Sequence, residues 1–544
     1  MRSTSQNRSP SIRWRIRLSG RCRLDMTAAD LTLDAALSEW SAQYGDHTAV
    51  TDGQTAWDYR QLYEKTLVLA DLLRKRGIVR GSRVIMQMTN TVWFPAVFFA
   101  LSRIGAVPIL CLPAHKELVI GGICRNAKPA AMIFTRRYLK FQYEEMAQNL
   151  AAQYGCAERL FFEDEFAALT SADADAALER ERAVTDLPSA DDLAFLSLSG
   201  GTTGIPKLIP RTHRDYLYNA RVTAERAVLS AESVMLNILP AAHNFALGTP
   251  GIIGTLMCGG TVVMQKYPDI TEFFANVEAY GVTITSLVPA LVNMCIRYRN
   301  LFDDDDVSSL RYVMVGGAMF RPEEAEAAER LMHCTVIQVF GMSEGMTFMT
   351  DCDAPEQVRW HDQGKPSAPE DEYRIVDADG NDVPDGEAGE IIVRGPYTIR
   401  GYYENPDANR RSFNSEGYYL TGDRALRTPE GNVRILGRVR EQINRAGEKI
   451  MPAALEEWIC RSENVLECAV IGVPDAELGH KICVYAVTEK PMTLQELNAF
   501  LKGEQVSDFY LPDLLRLTDA LPLTPVGKVD KNELLRMLEQ EERS

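Results

Sequence analysis

The sequence lacks the marks of a membrane protein and of a disulfide-stapled secreted protein. None of its 544 residues lies in an apolar run of about 18, the length that a membrane-spanning helix needs. Its 11 cysteines are odd in number and show no CxxC or CxxH spacing. That pattern is typical of reduced thiols, so we expect a cytoplasmic protein with neither a disulfide framework nor a zinc site.

Acidic residues outnumber basic ones along the chain, except at the amino terminus. The formal net charge is -17, and so acidic a chain does not have the basic face of a general nucleic-acid binder. Residues 1–24 contain no acid and a series of arginines: Arg2, Arg8, Arg13, Arg15, Arg17, Arg21 and Arg23. They lack the apolar segment of a secretory signal, and a transit-like presequence is one alternative interpretation. We expect residues 1–25 to be a disordered tail, or a start placed too early with Met26 as the true start.

What the sequence does contain is an alternation of short apolar strands with amphipathic helices. Strand-like runs such as Val107–Leu110 are separated by helix-like stretches such as Tyr59–Arg76. This alternation predicts α/β layers with largely parallel sheets. Gly residues next to Asp or Glu punctuate residues 370–435, which predicts a β-rich subdomain built from hairpins.

The length predicts more than one structural unit, because 544 residues exceed what one compact core usually holds. The last roughly 100 residues alternate helix and strand again and have the size of a small α+β domain. The charged segment Arg438–Lys449 precedes them and is the best candidate linker. We therefore expect a large N-terminal domain over 26–440, which contains the β-rich subdomain, and a small mobile C-terminal domain over 441–544.

The first segment that could carry chemistry is the glycine-rich loop Ser199–Lys207, which follows the apolar run Leu193–Leu198. Its glycines let backbone N–H groups approach an oxyanion closely and its hydroxyls add donors, so the loop suits a phosphate. It is not a Walker A loop, because Pro206 stands where that pattern has glycine. A flexible surface turn has the same composition and is the alternative.

A second motif, Phe340–Glu344, follows the strand-like run Cys334–Val339. Ligands bind at the carboxyl ends of strands in open α/β sheets. The Glu344 carboxylate could hold Mg²⁺ through oxygen, or it could be a carboxylate at the start of a helix.

Two further motifs lie near the carboxyl end. Asp423, with Arg438 after it, could accept hydrogen bonds from both hydroxyls of a ribose; alternatively, it makes a turn before a strand. Lys528 ends the segment Pro522–Lys528 and, taken alone, is typical of a solvated loop tip.

The four motifs, in this order and at these separations, resemble the core motifs of the ANL superfamily of adenylate-forming enzymes, which includes acyl-CoA synthetases, adenylation domains of nonribosomal peptide synthesis and luciferases. The resemblance covers essentially all of 26–540. Further segments are similar to the free-standing aryl acid–AMP ligases of siderophore pathways, of the 2,3-dihydroxybenzoate–AMP ligase type. These segments are Leu208–His213, Pro240–Phe245, Gly395–Tyr403 and Gln442–Lys449.

The resemblance implies ATP, Mg²⁺ and an aryl acid as ligands. The loop would hold the β- and γ-phosphates through Ser199, Gly200, Gly201, Thr202, Thr203, Gly204 and Lys207. The rest of the nucleotide would contact Gly316, Gly317, Ala318, Val339, Phe340, Gly341, Ser343, Asp423 and Arg438. Glu344 would bind the metal, Lys528 would bridge the acid carboxylate and the α-phosphate, and His243 would complete the catalytic set.

For the acid, the resemblance implies a pocket formed by Asn244, Phe245, Thr249, Gly317 and Thr347. Asn244 matches the residue that contacts the ortho hydroxyl of the acid, although an asparagine there can also cap a loop. Thr249 stands where serine is usual, and Thr347 where an aliphatic residue is usual. Their hydroxyls favour a polar group at the ring 3-position, while their β-branched shape favours the smaller salicylate. We expect 2,3-dihydroxybenzoate, with salicylate next.

The family performs two half-reactions in two orientations of its C-terminal domain. The hinge would be Glu441, where aspartate is usual, and Gly447 and Lys449 would line the pantetheine tunnel in the second orientation. The sequence contains no recognisable carrier domain, so we expect the acceptor to be the phosphopantetheine thiol of a separate aryl carrier protein. An aryl-CoA ligase and a catalytically silent nucleotide-binding protein are the alternatives.

Overall fold

A computed structural model describes residues 31–543 except 172–173, 200–205, 303, 446–447, 476–477, 505, 507–509 and 525–526. The predicted tail, residues 1–25, lies outside the described residues. The strands are β1 (Thr48–Thr51), β2 (Ala56–Asp58), β3 (Arg83–Gln87), β4 (Val107–Leu110), β5 (Ala131–Phe134), β6 (Arg137–Tyr138), β7 (Phe141–Gln142), β8 (Leu160–Phe162), β9 (Leu193–Leu198), β10 (Leu208–Thr212), β11 (Val234–Asn237), β12 (Thr261–Met264), β13 (Ile284–Leu287), β14 (Tyr312–Gly316), β15 (Thr335–Met342), β16 (Gly345–Met349), β17 (Lys365–Pro366), β18 (Glu372–Val376), β19 (Gly389–Arg394), β20 (Tyr419–Arg427), β21 (Val433–Arg438), β22 (Ile443–Arg445), β23 (Glu448–Ile450), β24 (Val465–Asp475), β25 (Gly479–Thr488) and β26 (Leu514–Leu517).

The helices connect these strands and cover the sheets. They are α1 (Leu33–Tyr44), α2 (Tyr59–Lys75), α3 (Trp93–Ile104), α4 (Glu117–Ala127), α5 (Glu144–Gln153), α6 (Phe166–Leu169), α7 (Ala174–Arg182), α8 (His213–Arg226), α9 (Asn244–Gly248), α10 (Gly251–Met257), α11 (Ile270–Tyr280), α12 (Pro289–Leu301), α13 (Pro322–Met332), α14 (Glu356–His361), α15 (Pro406–Ser412), α16 (Pro452–Ile459), α17 (Leu494–Gly503) and α18 (Lys531–Arg543). Within the described ranges, none of the helices has the combined length and apolarity needed to cross a membrane.

The larger part of the molecule is built on two sheets. In one, nine strands run in the order β17-β16-β15-β14-β13-β11-β12-β1-β2, and in the other, six run in the order β10-β9-β4-β3-β5-β8. Central pairs such as β14 with β15 and β3 with β4 are parallel. Helices cover parallel sheets on both faces, and β4 is accordingly buried along its whole length. The predicted α/β class with parallel-rich sheets is confirmed.

The Gly- and Asp-rich region forms the predicted β-rich subdomain. Strands β18, β19, β20 and β21 make a four-stranded antiparallel sheet in chain order. The hairpin between β20 and β21 turns through Glu430 and Gly431, and Gly431 has a φ of +81°. Glycine reaches this left-handed region without the steric cost that a Cβ imposes.

The carboxyl-terminal part is the small α+β unit that the sequence predicts. It contains the three-stranded sheet β24-β25-β26 together with α16, α17 and α18. The segment predicted as a linker is more ordered than a loop, because Val439–Glu441 form a 3-10 turn and β22 pairs antiparallel with β23. Ile443 and Ile450 enter the apolar core of this unit, which explains why so charged a stretch folds as a hairpin.

Candidate active site

The two ends of the glycine-rich loop are hydrogen-bonded to each other. Ser199 N donates to Lys207 O at 3.0 Å, and Lys207 N donates to the Ser199 hydroxyl at 3.0 Å. Strands β9 and β10 pair antiparallel on either side, so the loop connects two strands at one edge of the six-stranded sheet. The other residues predicted to bind phosphate lie outside the described residues: Gly200, Gly201, Thr202, Thr203 and Gly204.

The second motif lies in a β-hairpin. Strand β15 continues to Met342 and pairs antiparallel with β16, so that Ser343 and Glu344 form the turn between them. Among the described residues at this turn no helix begins, and the alternative of a helix-start carboxylate for Glu344 is wrong. The predicted strand stopped at Val339 because glycine and serine interrupt the apolar pattern from there on.

A tyrosine connects this turn to the glycine-rich loop. Tyr402 Oη donates to Glu344 Oε1 at 2.8 Å, and Lys207 Nζ donates to Tyr402 Oη at 2.7 Å. Burial raises the pKa of Tyr402, and the charge of Glu344 raises it further, so the phenol stays protonated. The sequence reading included Tyr402 in a family segment without a role, because a lone tyrosine in a loop has no pattern that marks a polar site.

A buried arginine, which the sequence reading likewise included in a family segment without a role, supports the same hairpin. Arg211 Nη1 donates to Ser343 O at 3.0 Å, and Arg211 Nη2 donates to Tyr397 O at 3.2 Å. Its Nε pairs with Asp215 at 2.8 Å, and the side chain is 1% exposed. A buried guanidinium is tolerated when its hydrogen bonds are made, so Arg211 fixes the backbone of the Ser343–Glu344 turn.

Asp423 lies in the middle of β20, directly opposite Arg438 on β21. The alternative of a turn before a strand is therefore wrong for this residue. Arg438 Nε lies 3.0 Å from Asp423 Oδ1. Burial raises the pKa of Asp423 to about 6, while Arg438 and Lys528 act to lower it. A buried carboxylate beside one cation suits the acceptance of hydrogen bonds from neutral hydroxyls.

The carboxyl-terminal unit brings Lys528 to the same place. Thr524 N donates to Lys528 O at 2.6 Å, and Lys528 N donates to the Thr524 hydroxyl at 3.1 Å. A Cβ built on Gly317 would lie 3.6 Å from Lys528 Cε. Burial lowers the pKa of Lys528, the charge of Arg438 lowers it further, and nearby carboxylates oppose the shift. Lys528 is therefore half-buried between the two parts of the chain, and the alternative of a solvated tip is wrong.

The carboxyl ends of β14 and β15 form an open ledge beside Lys528. Gly316 pairs with Val339, and a Cβ on Gly316 would lie 2.6 Å from Val339 O. Gly317 has a φ of +89° and is exposed together with Ala318. The remaining residues predicted to contact the nucleotide lie on β15 and in the turn after it. Val339 is buried, Phe340 and Ser343 are half-buried, and Gly341 is exposed. This is the sheet edge at which ligands bind in open α/β folds.

The start of α9 lies against this ledge. His243 caps the helix, since its Nδ1 accepts a hydrogen bond from Phe245 N at 3.2 Å. Burial lowers the pKa of His243 to about 4, and the charge of Lys528 contributes, so the imidazole is neutral near pH 7. The ring of Phe245 reaches Gly316, with its Cε1 3.5 Å from a Cβ built there.

The amide of Asn244 is held by other side chains. Tyr216 Oη donates to Asn244 Oδ1 at 3.1 Å, and Asn244 Nδ2 lies 3.4 Å from Thr249 Oγ1. Because His243 caps α9, the alternative of a loop-capping role for Asn244 does not fit. Thr347 lies on β16 opposite Gly341 and is buried, with its hydroxyl facing that glycine.

The predicted hinge residue ends the 3-10 turn after β21. Glu441 Oε2 lies 3.2 Å from Lys531 Nζ, and Lys531 also pairs with Glu456 at 2.9 Å. These ion pairs join the hinge segment to α16 and α18. Of the predicted tunnel residues, Lys449 belongs to β23 and Gly447 lies outside the described residues.

The donor set around Glu344 is compatible with Mg²⁺. This ion takes oxygen ligands, keeps several waters and is usually held by one or two carboxylates together with substrate phosphates. Across the part of the chain that the structure describes, no cluster of three or more His, Cys, Asp and Glu side chains could hold a metal by itself. A single buried carboxylate therefore suits a metal that binds together with a nucleotide.

Models of two protein families match the two parts of the chain. The model of the AMP-binding enzymes matches residues 37–403, and that of the AMP-binding enzyme C-terminal domain matches residues 454–528. With the exposed edge at Gly317, the buried Asp423 and the half-buried Lys528 described above, these matches define the class. The chain belongs to the family of AMP-binding enzymes, the adenylate-forming ANL superfamily.

Similarity to individual members extends over nearly the whole chain. The chain is 38% identical over 517 residues to a 2,3-dihydroxybenzoate-AMP ligase of Bacillus subtilis, covering 94% of each. It is 38% identical over 516 residues to a salicyl-AMP ligase / salicyl-S-ArCP synthetase of Mycobacterium tuberculosis, covering 93% of this chain and 91% of the relative. The apo structure of MbtA from Mycobacterium smegmatis has a TM-score of 0.70 and 35% identity, covering 93% of this chain and 94% of that one.

Proposed function

We propose that this chain is an aryl acid–AMP ligase, which adenylates an aryl carboxylate with ATP and then passes the acyl group to a thiol. The observation that carries the proposal is the place of Lys528. Its side chain stands beside Gly317 at the exposed end of β14, within electrostatic range of Glu344 and Asp423. A cation from the carboxyl-terminal unit thus completes a site whose other groups come from the two large sheets and the β-rich subdomain.

In the first half-reaction a carboxylate oxygen attacks the α-phosphorus and pyrophosphate leaves. Negative charge builds on the phosphate oxygens, so catalysis consists mainly of positioning and electrostatic stabilisation. Lys528 donates to the acid carboxylate and the α-phosphate, Lys207 faces the β- and γ-phosphates, and Asp423 accepts from the ribose hydroxyls. Glu344 would hold Mg²⁺ together with the phosphates, and the ion would supply positive charge to offset the negative charge of the leaving pyrophosphate.

The proposed acid is 2,3-dihydroxybenzoate, with salicylate next. With Oδ1 of Asn244 already bonded to Tyr216, an amide hydrogen of Asn244 is available to the ortho oxygen of the acid. The hydroxyls of Thr249 and Thr347 favour a polar group at the ring 3-position. Both acids occur in the names of similar proteins, one a 2,3-dihydroxybenzoate-AMP ligase and the other a salicyl-AMP ligase.

For the second half-reaction we propose that residues 441–544 turn about Glu441 against residues 26–440. Gly447 and Lys449 would then contact the pantetheine arm. Its thiol would attack the carbonyl of the aryl-adenylate, forming the thioester and releasing AMP. The proposed acceptor is a separate aryl carrier protein of siderophore-type biosynthesis. The name of the mycobacterial relative, salicyl-S-ArCP synthetase, supports this choice.

Exchange of radiolabelled pyrophosphate into ATP tests the first half-reaction. The panel contains benzoate, salicylate, 2,3-dihydroxybenzoate and hydroxypicolinates, and we expect exchange with the 2-hydroxybenzoates. Absence of acid-dependent exchange would identify a catalytically silent nucleotide-binding protein. Thioester formation is then measured with phosphopantetheinyl aryl carrier proteins and with free CoA, and activity with CoA alone would identify an aryl-CoA ligase instead.

A further inference from the structure

Residues 399–403, here called the strap, run from the Glu344 turn to the first residue after the glycine-rich loop, Leu208, and are hydrogen-bonded to both. At one end Ile399 N donates to Glu344 O at 2.7 Å. At the other end Tyr403 N donates to Leu208 O at 2.9 Å, one residue after the loop lysine. Both bonds join backbone to backbone, so the strap has a fixed position relative to both motifs.

The middle of the strap is fixed as well. Tyr402 N donates to Asn409 Oδ1 at 2.7 Å, and Asn409 Nδ2 donates to Tyr402 O at 3.2 Å. Gly345 makes the close approach to the turn possible, since a Cβ there would lie 2.3 Å from Thr398 Cα. The backbone that carries Tyr402 is therefore held independently of the hydroxyl of that residue.

The hydroxyl of Tyr402 lies between two groups of opposite charge, and their chemistry sets the direction of its hydrogen bonds. An ammonium donates only and a carboxylate accepts only. Lys207 Nζ, at 2.7 Å, must therefore donate to Tyr402 Oη. The phenolic proton goes to Glu344 Oε1, at 2.8 Å, because the carboxylate is the nearer acceptor and the charged one. The hydroxyl of Tyr419 lies 3.2 Å from Tyr402 Oη on a third side.

We infer that Tyr402 is a positioning residue that holds Lys207 and Glu344 in one fixed relation, ready for the phosphates and the metal of MgATP. The inference rests on the proposed adenylation function and adds a residue that acts through the two charged groups. Charge-assisted hydrogen bonds are shorter and stronger than neutral ones. Without the hydroxyl, both charged side chains lose a hydrogen-bond partner and gain rotational freedom. Binding of ATP must then restrict that freedom, which costs conformational entropy and lowers the affinity.

The test compares Tyr402→Phe with Tyr403→Phe. Both variants remove one phenolic oxygen from the strap, but the side chain of Tyr403 packs against the apolar cluster beneath the six-stranded sheet. Calorimetry without aryl acid measures the Kd of MgATP and of ATP in EDTA, and exchange kinetics give the KM of the acid. Loss of a buried hydrogen-bond partner is worth about 1–3 kcal/mol, so Tyr402→Phe should weaken MgATP binding roughly 10- to 100-fold.

Three further results are expected of Tyr402→Phe. The advantage of MgATP over metal-free ATP should shrink, the half-saturating Mg²⁺ concentration should rise, and the KM of the acid should stay within about twofold. The control variant should keep wild-type values. In the Glu344→Gln background the same change should have a much smaller effect, because groups that act as a unit are not additive.

If Tyr402→Phe binds MgATP as tightly as the wild-type protein and shows the same dependence on Mg²⁺, the positioning role of Tyr402 is wrong. It is equally overturned by a uniform loss of acid and ATP binding accompanied by a lower Tm, which would reflect a structural role alone. Full additivity with Glu344→Gln would show that the hydroxyl does not act through the carboxylate. None of these results is the failure of the proposed function, which would appear as absent acid-dependent exchange in the wild-type protein.

Discussion

The hydroxyl of Tyr216 donates a 3.1 Å hydrogen bond to Oδ1 of Asn244. The ring of Tyr216 is fully buried and packs edge-on against Phe195, with centroids 4.6 Å apart. A Cβ on Gly248 would lie 2.6 Å from this ring, so glycine is required there. Burial raises the pKa of Tyr216, which keeps it a hydrogen-bond donor. The amide of Asn244 is therefore oriented from the core, with its oxygen occupied and its NH₂ group turned away from Tyr216.

Removing that hydroxyl should weaken the preference for an ortho-hydroxylated acid. In the wild-type protein, benzoate leaves the amide hydrogen of Asn244 that faces the acid without an acceptor, which costs about 1–3 kcal/mol, so its kcat/KM should be roughly 10- to 100-fold below that of salicylate. In Tyr216→Phe the amide can rotate, and the ratio should fall about fivefold or more. Tyr218→Phe, on the same helix but bonded to Glu370 at the surface, is the matched control. An unchanged ratio in Tyr216→Phe would contradict the orienting role.

Thr249 should determine how well the ring 3-position tolerates a hydroxyl. The residue is 3% exposed, and its Oγ1 lies 3.4 Å from the Asn244 amide. Thr249→Val keeps the shape and removes the oxygen, so it should lower kcat/KM for 2,3-dihydroxybenzoate relative to salicylate by about fivefold or more. Competition between the two acids measures the ratio. If the ratio stays the same, Thr249 does not recognise the 3-position and the preference for 2,3-dihydroxybenzoate loses its physical basis.

Lys528 should matter for one half-reaction much more than for the other. In the structure its ammonium group lies at the ledge next to Gly317. Loss of one charge-assisted contact in a transition state costs about 10²–10³ in rate, so Lys528→Ala should slow adenylate formation by that factor. Thioester formation from preformed aryl-adenylate should change far less, because the proposed rotation of the carboxyl-terminal unit would remove this lysine from the site. Lys490→Ala, an exposed lysine of the same unit, is the control, and equal losses in both half-reactions would refute the two-orientation proposal.

The pH dependence of nucleotide binding should follow Asp423, whose pKa burial raises to about 6. The ionised carboxylate is the form that accepts two ribose hydroxyls, so affinity should be constant above about pH 7 and decrease as the pH falls through 6, by up to about tenfold per unit. Because the folded protein holds this proton more tightly than the unfolded chain does, protonation of Asp423 itself does not favour unfolding.

An acyl sulfamoyl adenosine is the appropriate probe for this experiment, since it mimics the aryl-adenylate without a titrating phosphate. Its Kd is measured by calorimetry between about pH 5 and 8. Asp423→Asn should bind it more weakly at neutral pH and with little pH dependence. A wild-type profile that is flat through pH 6, or one that Asp423→Asn retains, would assign the dependence to another group.

Much of the fold could be predicted because its information is local. The run Val107–Leu110 is apolar at every position and forms β4 with the predicted bounds, and the predicted helix Tyr59–Arg76 is α2 to within one residue. Gly beside Asp or Glu marked the hairpins of the β-rich subdomain for the same reason, since turn conformations depend on a few neighbouring residues. The continuation of β15 through Gly341 to Met342 was missed because there the pairing with β16, and not the local pattern, keeps the strand extended.

The sequence by itself determined which chemical groups are available and in what order: a glycine-rich loop with Lys207, a carboxylate at Glu344, another at Asp423 and a lysine at Lys528. The tertiary structure alone decided what each of them touches. Antiparallel register places Arg438 opposite Asp423, and the docking of the carboxyl-terminal tip brings Lys528 next to Gly317.

The residues that the sequence reading missed share one physical property. Tyr402, Arg211 and Tyr216 each act through a hydrogen bond to a partner far along the chain: Tyr402 to Glu344, Arg211 to Ser343 and Tyr216 to Asn244. Hydrophobic periodicity and turn chemistry report on neighbours within a few residues, whereas a buried polar side chain gains its role from the partner that folding brings to it. For that reason the sequence contained the candidate groups of this site, and only the packed chain revealed the side chains that hold them in place.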